Sequence, residues 1–392
     1  MPGYKYLIVG SGMTAASALQ GIRDLDPSGP VAMFGLEKDP PYNRPPLSKG
    51  LWKGEPLESV WRPIQDSSLA FHPGRAITRI LPGEKRVEDD QGGAHSYERL
   101  MLATGGEPRR LPFGGGEIIY FRTLQDYRRL EELSRRCNRF AVIGGGFIGS
   151  ELAAALAMKN KRVSMIFPDE GLGAKVYPRD LSHFLNDFYR KKGVEVLAGE
   201  NAVGVEGGPG RFVVHLGSGR SVTSEVVVAG IGIRPSTELA RAAGLPTGDG
   251  IAVDEYLRAG DADIYAAGDA AEFYNPALGK RIRVEHEDAA NTMGRHAGRN
   301  MAGAGEPCRH LPFFYSDLFE LGYEAVGELD SRAQAVAQWE EPYRKGVVYY
   351  LSDKRVRGVL LWNVWEQVDA ARKLIAEPGP HTAESVKGRI PA

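Results

Sequence analysis

The chain has little of what performs redox chemistry unaided. Its 392 residues include two cysteines, Cys137 and Cys308, and no C-x-x-C or other close pair. Neighbouring residues therefore form no redox-active dithiol, and a structural disulfide is not expected. No apolar run approaches the roughly 20 residues that a membrane helix needs, so no membrane span is expected. An excess of either charge is missing too: 49 Lys and Arg face 50 Asp and Glu, for a net charge of -1. That balance gives no global basic field for nucleic acid or an anionic membrane. The N-terminus, Met1-Pro-Gly-Tyr-Lys-Tyr-Leu-Ile-Val9, runs straight into a strand without the order of a signal peptide, which points to a cytoplasmic protein. Low-complexity segments and metal-ligand spacings are absent, and no metal site is expected. Charged residues at 25% and apolar residues at 42% describe an ordinary globular composition, long enough for two or three domains.

Glycine is plentiful, and its placement carries the information. Phe140-Ala-Val-Ile-Gly-Gly-Gly-Phe-Ile-Gly-Ser-Glu151 gives a short apolar strand, then G-x-G-x-x-G at Gly144, Gly146 and Gly149, then an apolar helix from Leu152 to Met158. The first glycine turns the chain, the second admits a pyrophosphate to the backbone, and the third lets helix pack on strand. The helix N-terminus offers free N–H groups and partial positive charge. One such motif is weak, but the chain has two. Gly10, Gly12 and Ala15 form G-x-G-x-x-A after Tyr6-Leu-Ile-Val9, an accepted variant of the same fingerprint.

After the first fingerprint a helix runs to about Asp24, and Val31 to Phe34 reads as the next strand. Glu37 follows slightly late for the acid that takes ribose hydroxyls; it is either that ligand or a solvated loop carboxylate. Pro41-Tyr-Asn-Arg-Pro-Pro-Leu-Ser-Lys49 suits a stiff extended loop presenting Arg44 and Lys49. Alternation from about Phe71 to Tyr97 suggests a small antiparallel sheet. Leu100-Met-Leu-Ala103-Thr104-Gly105 brings small residues and a hydroxyl towards a bound group.

The second nucleotide fold spans Phe140 to about Thr247. Val163 to Phe167 is its second strand, and Asp169 stands in the window for a ribose 2′-hydroxyl ligand. The alternative is a helix-start carboxylate. No Arg stands beside it to receive a 2′-phosphate, so NADH is favoured over NADPH. Glu225-Val-Val-Val-Ala-Gly-Ile-Gly232 suits a buried parallel strand ending in a glycine turn. Ile264-Tyr-Ala-Ala-Gly268-Asp269 is another strand and small-residue turn, and Arg283-Val-Glu285-His286 precedes a helix from Ala289 to Met301. From Leu311 the texture changes to strands of a separate antiparallel sheet, followed by a helix from about Trp365 to Ile375. The tail after Pro378 has no strong signal.

This order of two nucleotide folds, with Ala103-Thr-Gly105 and Tyr265-Ala-Ala-Gly-Asp269 returning the chain to the first cofactor, resembles the two-dinucleotide flavoprotein disulfide-reductase superfamily along its whole length. Arg44-Pro-Pro-Leu-Ser-Lys49 stands where other branches carry cysteine. It is similar to the oxygenase-coupled ferredoxin reductases and the apoptosis-inducing-factor-like flavoproteins. Arg283-Val-Glu-His286, Ser316-Asp-Leu, Gly322-Tyr-Glu-Ala-Val-Gly327 and Gly358-Val-Leu-Leu-Trp-Asn363 look most like the latter, while Glu287 departs from the Trp common in the former.

The resemblance implies an α/β fold: two Rossmann-like dinucleotide-binding domains, for FAD and NAD, plus a C-terminal α+β domain. The expected divisions are 1–120 and 248–310 for FAD, 121–247 for NAD(H), and 311–392. It implies that Lys49 and Glu151 pair beside the flavin and that Phe147 lies over the isoalloxazine. Arg44 and Asp269 would contact FAD, Glu285 and His286 would border flavin and nicotinamide, and Tyr315, usually Trp, would cover the other flavin face. It also implies NADH oxidation through FAD, with electrons leaving for a ferredoxin, a rubredoxin, a quinone or another small acceptor. The alternative is an NADH-responsive redox sensor with low turnover. A homodimer is left open.

Overall fold

The computed structural model describes residues 3–64 and 66–391. The chain divides into two compact units. One comprises the N-terminal stretch up to Arg44, Leu57–Glu107 and Arg234–Pro312; the other comprises Pro45–Pro56, Pro108–Ile233 and the chain from Phe313 onward.

The first unit is built on a parallel sheet. The apolar strand Gly3–Val9 lies at its centre, between Val31–Gly35 and Ala94–Leu102. Leu69–Pro73 extends it parallel on one edge, and Ile264–Ala266 pairs parallel with the end of Ala94–Leu102 on the other. The expected antiparallel sheet from Phe71 to Tyr97 is therefore divided. Leu69–Pro73 joins the parallel sheet, and only Ile77–Leu81, Arg86–Asp89 and the start of Ala94–Leu102 pair antiparallel. Alternation alone does not distinguish an edge strand of a parallel sheet from a hairpin strand.

Helix Met13–Arg23 packs on helix Glu287–Met301 through small residues. A Cβ on Gly298 would fall 2.1 Å from the Ala18 carbonyl oxygen, and one on Gly294 2.4 Å from that of Thr14. The two backbones meet where no side chain fits.

The second unit holds a five-stranded parallel sheet in the order Val194–Ala198, Arg162–Phe167, Arg139–Ile143, Val226–Ala229, Ile119–Tyr120. A five-stranded antiparallel sheet occupies the C-terminal stretch, in the order Phe313–Leu318, Leu321–Gly327, Arg355–Trp362, Lys345–Ser352, Gln334–Glu341. The last of these was not expected from its polar texture. Helix Phe147–Met158 packs on the parallel sheet and on the Phe313–Leu318 strand. Eight consecutive residues of it, Gly149 to Leu156, are buried. Its alanines and leucines suit a helix, and covering on two sides explains why it is not amphipathic. Burying Leu152 and Leu156 contributes about 1.5–3 kcal/mol each.

One local expectation is corrected. The double-proline stretch is not extended: Pro45–Ser48 and Gly50–Lys53 are 3-10 turns, since proline opens a helical turn as readily as it stiffens a loop. The tail carries a short helix, Ala383–Val386, opened by a Thr382–Ser385 capping box. Among the described residues no helix is long and apolar enough to cross a membrane.

The helix contact gives a direct test. Gly298→Ala should destabilise the protein by about 1–3 kcal/mol. Gly83→Ala, at an open site with an ordinary φ, should stay within about 0.5 kcal/mol. Thermal melts of the two variants decide; equal melting temperatures would remove the steric argument.

Candidate functional site

The same turn is built twice. Gly10 has φ +117°, and a Cβ there would sit 2.1 Å from the Ala103 carbonyl oxygen. Gly144 has φ +121°, with its Cβ position 2.3 Å from the Gly230 carbonyl oxygen. In each case the strand end and the neighbouring parallel strand leave room for glycine alone. The second glycine of each fingerprint, Gly12 or Gly146, caps the following helix with no side-chain hydrogen bond. The first-turn N–H groups thus remain open to an anion. Gly146 has nothing within 4 Å of its Cβ position, so the approach is clear. A Cβ on Gly149 would lie 2.1 Å from the Gly144 oxygen, which fixes the close helix–strand contact. Both cradles thereby fit a dinucleotide pyrophosphate.

Around the first cradle, Glu37 is not a freely solvated carboxylate. It accepts hydrogen bonds from Tyr42 Oη at 2.5 Å and Arg44 Nη2 at 2.6 Å. Arg44 reaches back over the fingerprint, with Nη2 4.0 Å from the Cβ position of Gly12. Burial lowers the Arg44 pKa, but the Tyr42 phenol and the Glu37 carboxylate outweigh it and raise the value overall. Thr104 donates to the Ser236 carbonyl at 2.7 Å, which holds the Ala103-Thr-Gly105 bend. Asp269 lies in the 3-10 turn Gly268–Ala270, where Gly268 has φ +72°. Its charge acts on both Arg44 and His286. Glu285 is exposed and pairs with Arg283 at 2.8 Å. His286 is the N-cap of helix Glu287–Met301. Dehydration of its ring lowers its pKa to about 4, against the opposing pull of Asp269 and Asp288, so it is neutral at pH 7.

In the second unit, Phe147 opens the helix after the fingerprint, 37% exposed, with its ring centroid 5.2 Å from that of Phe314. One turn on, Glu151 is 3% exposed. It pairs with Lys49 Nζ at 2.8 Å and accepts from Ser316 Oγ at 2.6 Å and Ser48 Oγ at 2.5 Å. Lys49 Nζ also lies 5.2 Å from the centre of the Tyr315 ring, close enough for a cation–π contact. Asp169 sits in the turn after Arg162–Phe167, half-buried, and its carbonyl accepts from Gly199 N at 3.0 Å. The neighbouring Glu170 instead binds Arg179 at 3.0 Å. Gly232, φ +89°, accepts from Arg109 N at 2.9 Å.

The structure thus brings Lys49, Glu151 and Tyr315 together, and separately Glu37 with Arg44. Sequence reading missed Ser48, Ser316 and Tyr42. All three lie inside or beside quoted motifs, but hydroxyls leave no spacing signal. Cys137 and Cys308 are both free thiols, and no group of residues among those described could hold a metal ion.

A family model described as pyridine nucleotide-disulphide oxidoreductase matches residues 4–294. A second, the C-terminal part of apoptosis-inducing factor, mitochondrion-associated, matches 297–342 and 332–377. Among similar proteins, apoptosis-inducing factor 1, mitochondrial, of Dictyostelium discoideum is 34% identical over 95% of this chain and 78% of its own length. The ferredoxin–NAD(+) reductase component of the anthranilate 1,2-dioxygenase system of Burkholderia cepacia is 32% identical over 95% of this chain and 94% of its own. Among solved structures, putidaredoxin reductase in covalent complex with putidaredoxin superposes with a TM-score of 0.89 at 28% identity, covering 97% of this chain and 94% of that one. A ferredoxin reductase from Rhodopseudomonas palustris gives 0.89 at 29% identity, covering 97% and 96%.

The His286 shift predicts a pH effect of known sign. Its folded pKa, about 4, lies below the ordinary 6.5. Between these values the unfolded chain binds the extra proton, so stability falls as pH drops through that window. Urea midpoints at pH 7 and pH 5 should therefore fall further for the wild type than for His286→Gln. An equal fall would contradict the dehydrated ring.

Proposed function

We propose, for a chain that belongs to the pyridine nucleotide-disulphide oxidoreductase family, that its reaction is NADH oxidation through FAD with electrons delivered to a small electron-transfer protein. The observation that carries this is the repeated cradle: two left-handed glycines, each pressed on the backbone of a neighbouring strand and each followed by a helix without a side-chain cap. The lack of a close cysteine pair supports a route out of the flavin that uses no protein disulfide. The names of the relatives support a ferredoxin-type acceptor.

In this reading residues 1–120 and 248–310 form the FAD part and 121–247 the NAD(H) part, the strand Ile119–Tyr120 itself pairing with Val226–Ala229 of the latter. Residues 311–392 form the C-terminal α+β domain. Gly10, Gly12 and Ala15 receive the FAD pyrophosphate. Glu37 takes the adenosine ribose, held in place by Tyr42 and Arg44. Ala103, Thr104, Gly105, Gly268 and Asp269 line the remainder of the FAD site. Gly144, Gly146 and Gly149 receive the NADH pyrophosphate, Asp169 its ribose, and Gly232 the approach to the nicotinamide. Bound FAD supplies the chemistry, accepting hydride from NADH and releasing electrons to the acceptor. Phe147 guards the nicotinamide position, and Tyr315 covers the opposite flavin face. The Lys49 ammonium, held by Glu151, favours negative charge arriving on the flavin. Glu285 and neutral His286 border the nicotinamide amide. The two free thiols accord with a cytoplasmic setting.

A second reading is favoured by the match of the C-terminal region to apoptosis-inducing factor: a low-turnover redox sensor whose assembly, as a homodimer, responds to NADH. Slow reoxidation of reduced flavin in air, together with an NADH-driven change on size exclusion, would select it. Rapid turnover with an iron–sulfur protein would select the first.

Two outcomes test the reaction itself. Anaerobic mixing with NADH should bleach the flavin band; no bleaching at any NADH concentration would end the account. Asp169→Ala should weaken NADH about tenfold, by roughly the value of a hydrogen bond to a charged group, and NADPH less. Equal loss of both would remove Asp169 from the ribose.

A further inference from the structure

We propose that Ser48 and Ser316 are positioning residues that set the Lys49–Glu151 pair by clamping the two oxygens of the Glu151 carboxylate. The inference rests on the reading that this pair acts on the flavin. Ser48 is 4% exposed and Ser316 1%. Ser48 ends the 3-10 turn Pro45–Ser48, while Ser316 stands on the strand Phe313–Leu318. Their hydroxyls divide the carboxylate between them: Ser48 donates to Oε2, and Ser316 to Oε1, the oxygen that also meets Lys49. A carboxylate accepts only, so both hydroxyl protons point inward.

A buried carboxylate with one partner could rotate about its terminal torsion, and the ammonium would follow it. With donors on both oxygens, arriving from different elements, one orientation remains. Behind Ser316 stands its cross-strand neighbour Tyr323. Tyr177 donates to Tyr323 at 2.9 Å. Tyr177 and Tyr323 are both buried, so this hydroxyl pair backs the Ser316 strand from inside the protein.

The test is a double-mutant cycle on the full flavoprotein, read as the stopped-flow rate of flavin reduction by NADH. Ser316→Ala and Ser48→Ala should each slow reduction about tenfold, with KM for NADH little changed. In a Glu151→Gln background, Ser316→Ala should have almost no further effect, because the hydroxyl acts through the carboxylate. Ser48→Thr, which keeps the hydroxyl, should restore most of the rate lost in Ser48→Ala. Should Ser316→Ala fail to fold, the Ser48 arm carries the same cycle.

Serine variants at the wild-type rate beside a slow Glu151→Gln would overturn the clamp and leave the pair's role standing. Serine effects that persist undiminished in Glu151→Gln would also overturn it. A wild-type rate in Glu151→Gln itself would sink the reading on which the clamp rests.

Discussion

A carboxylate taken almost wholly out of water must be met by donors, and Glu151 is met by three. They arrive from a 3-10 turn near residue 48, from the position that follows it, and from a strand beginning at Phe313. Breaking a buried pair by removing one partner costs about 3–5 kcal/mol. Segments far apart in sequence are thereby obliged to converge on the helix that follows the second fingerprint. The burial of that helix beneath two sheets creates the constraint, since a helix with one solvated face would let Glu151 reach water. The pair is thus a consequence of the packing, and its proposed chemical use depends on that packing staying closed.

The second constraint is steric. At Gly10 and Gly144 a carbonyl oxygen stands where a Cβ would go, and the backbone is left-handed. These are separate objections to any other residue, and they coincide at both positions. A turn so tight leaves the following helix N-terminus facing outward with its N–H groups uncapped. The phosphate cradle is therefore what remains once strand, glycine and helix have been packed.

Much of this was legible in the sequence. The two fingerprints, Asp169 after its strand, and the pairing of Lys49 with Glu151 follow from spacing or from family resemblance. Glu37 was ambiguous, because nothing in its own neighbourhood showed that Tyr42 and Arg44 would fold back onto it. Ser48 and Ser316 were illegible for a different reason: a hydroxyl recruited from a distant element has no periodicity and no fixed offset from its acceptor. Leu69–Pro73 was misassigned because a short alternating strand reads alike at the edge of a parallel sheet and in a hairpin. Gln334–Glu341 was passed over because an exposed edge strand carries polar residues that resemble a loop.

The central claim is that the cation at Lys49, fixed by Glu151, favours electron density on the flavin. The flavin midpoint potential of the wild type and of Lys49→Met, measured side by side at pH 7 with FAD content matched, tests it most directly. The account predicts a clearly lower potential in Lys49→Met. An unchanged or higher potential would contradict it.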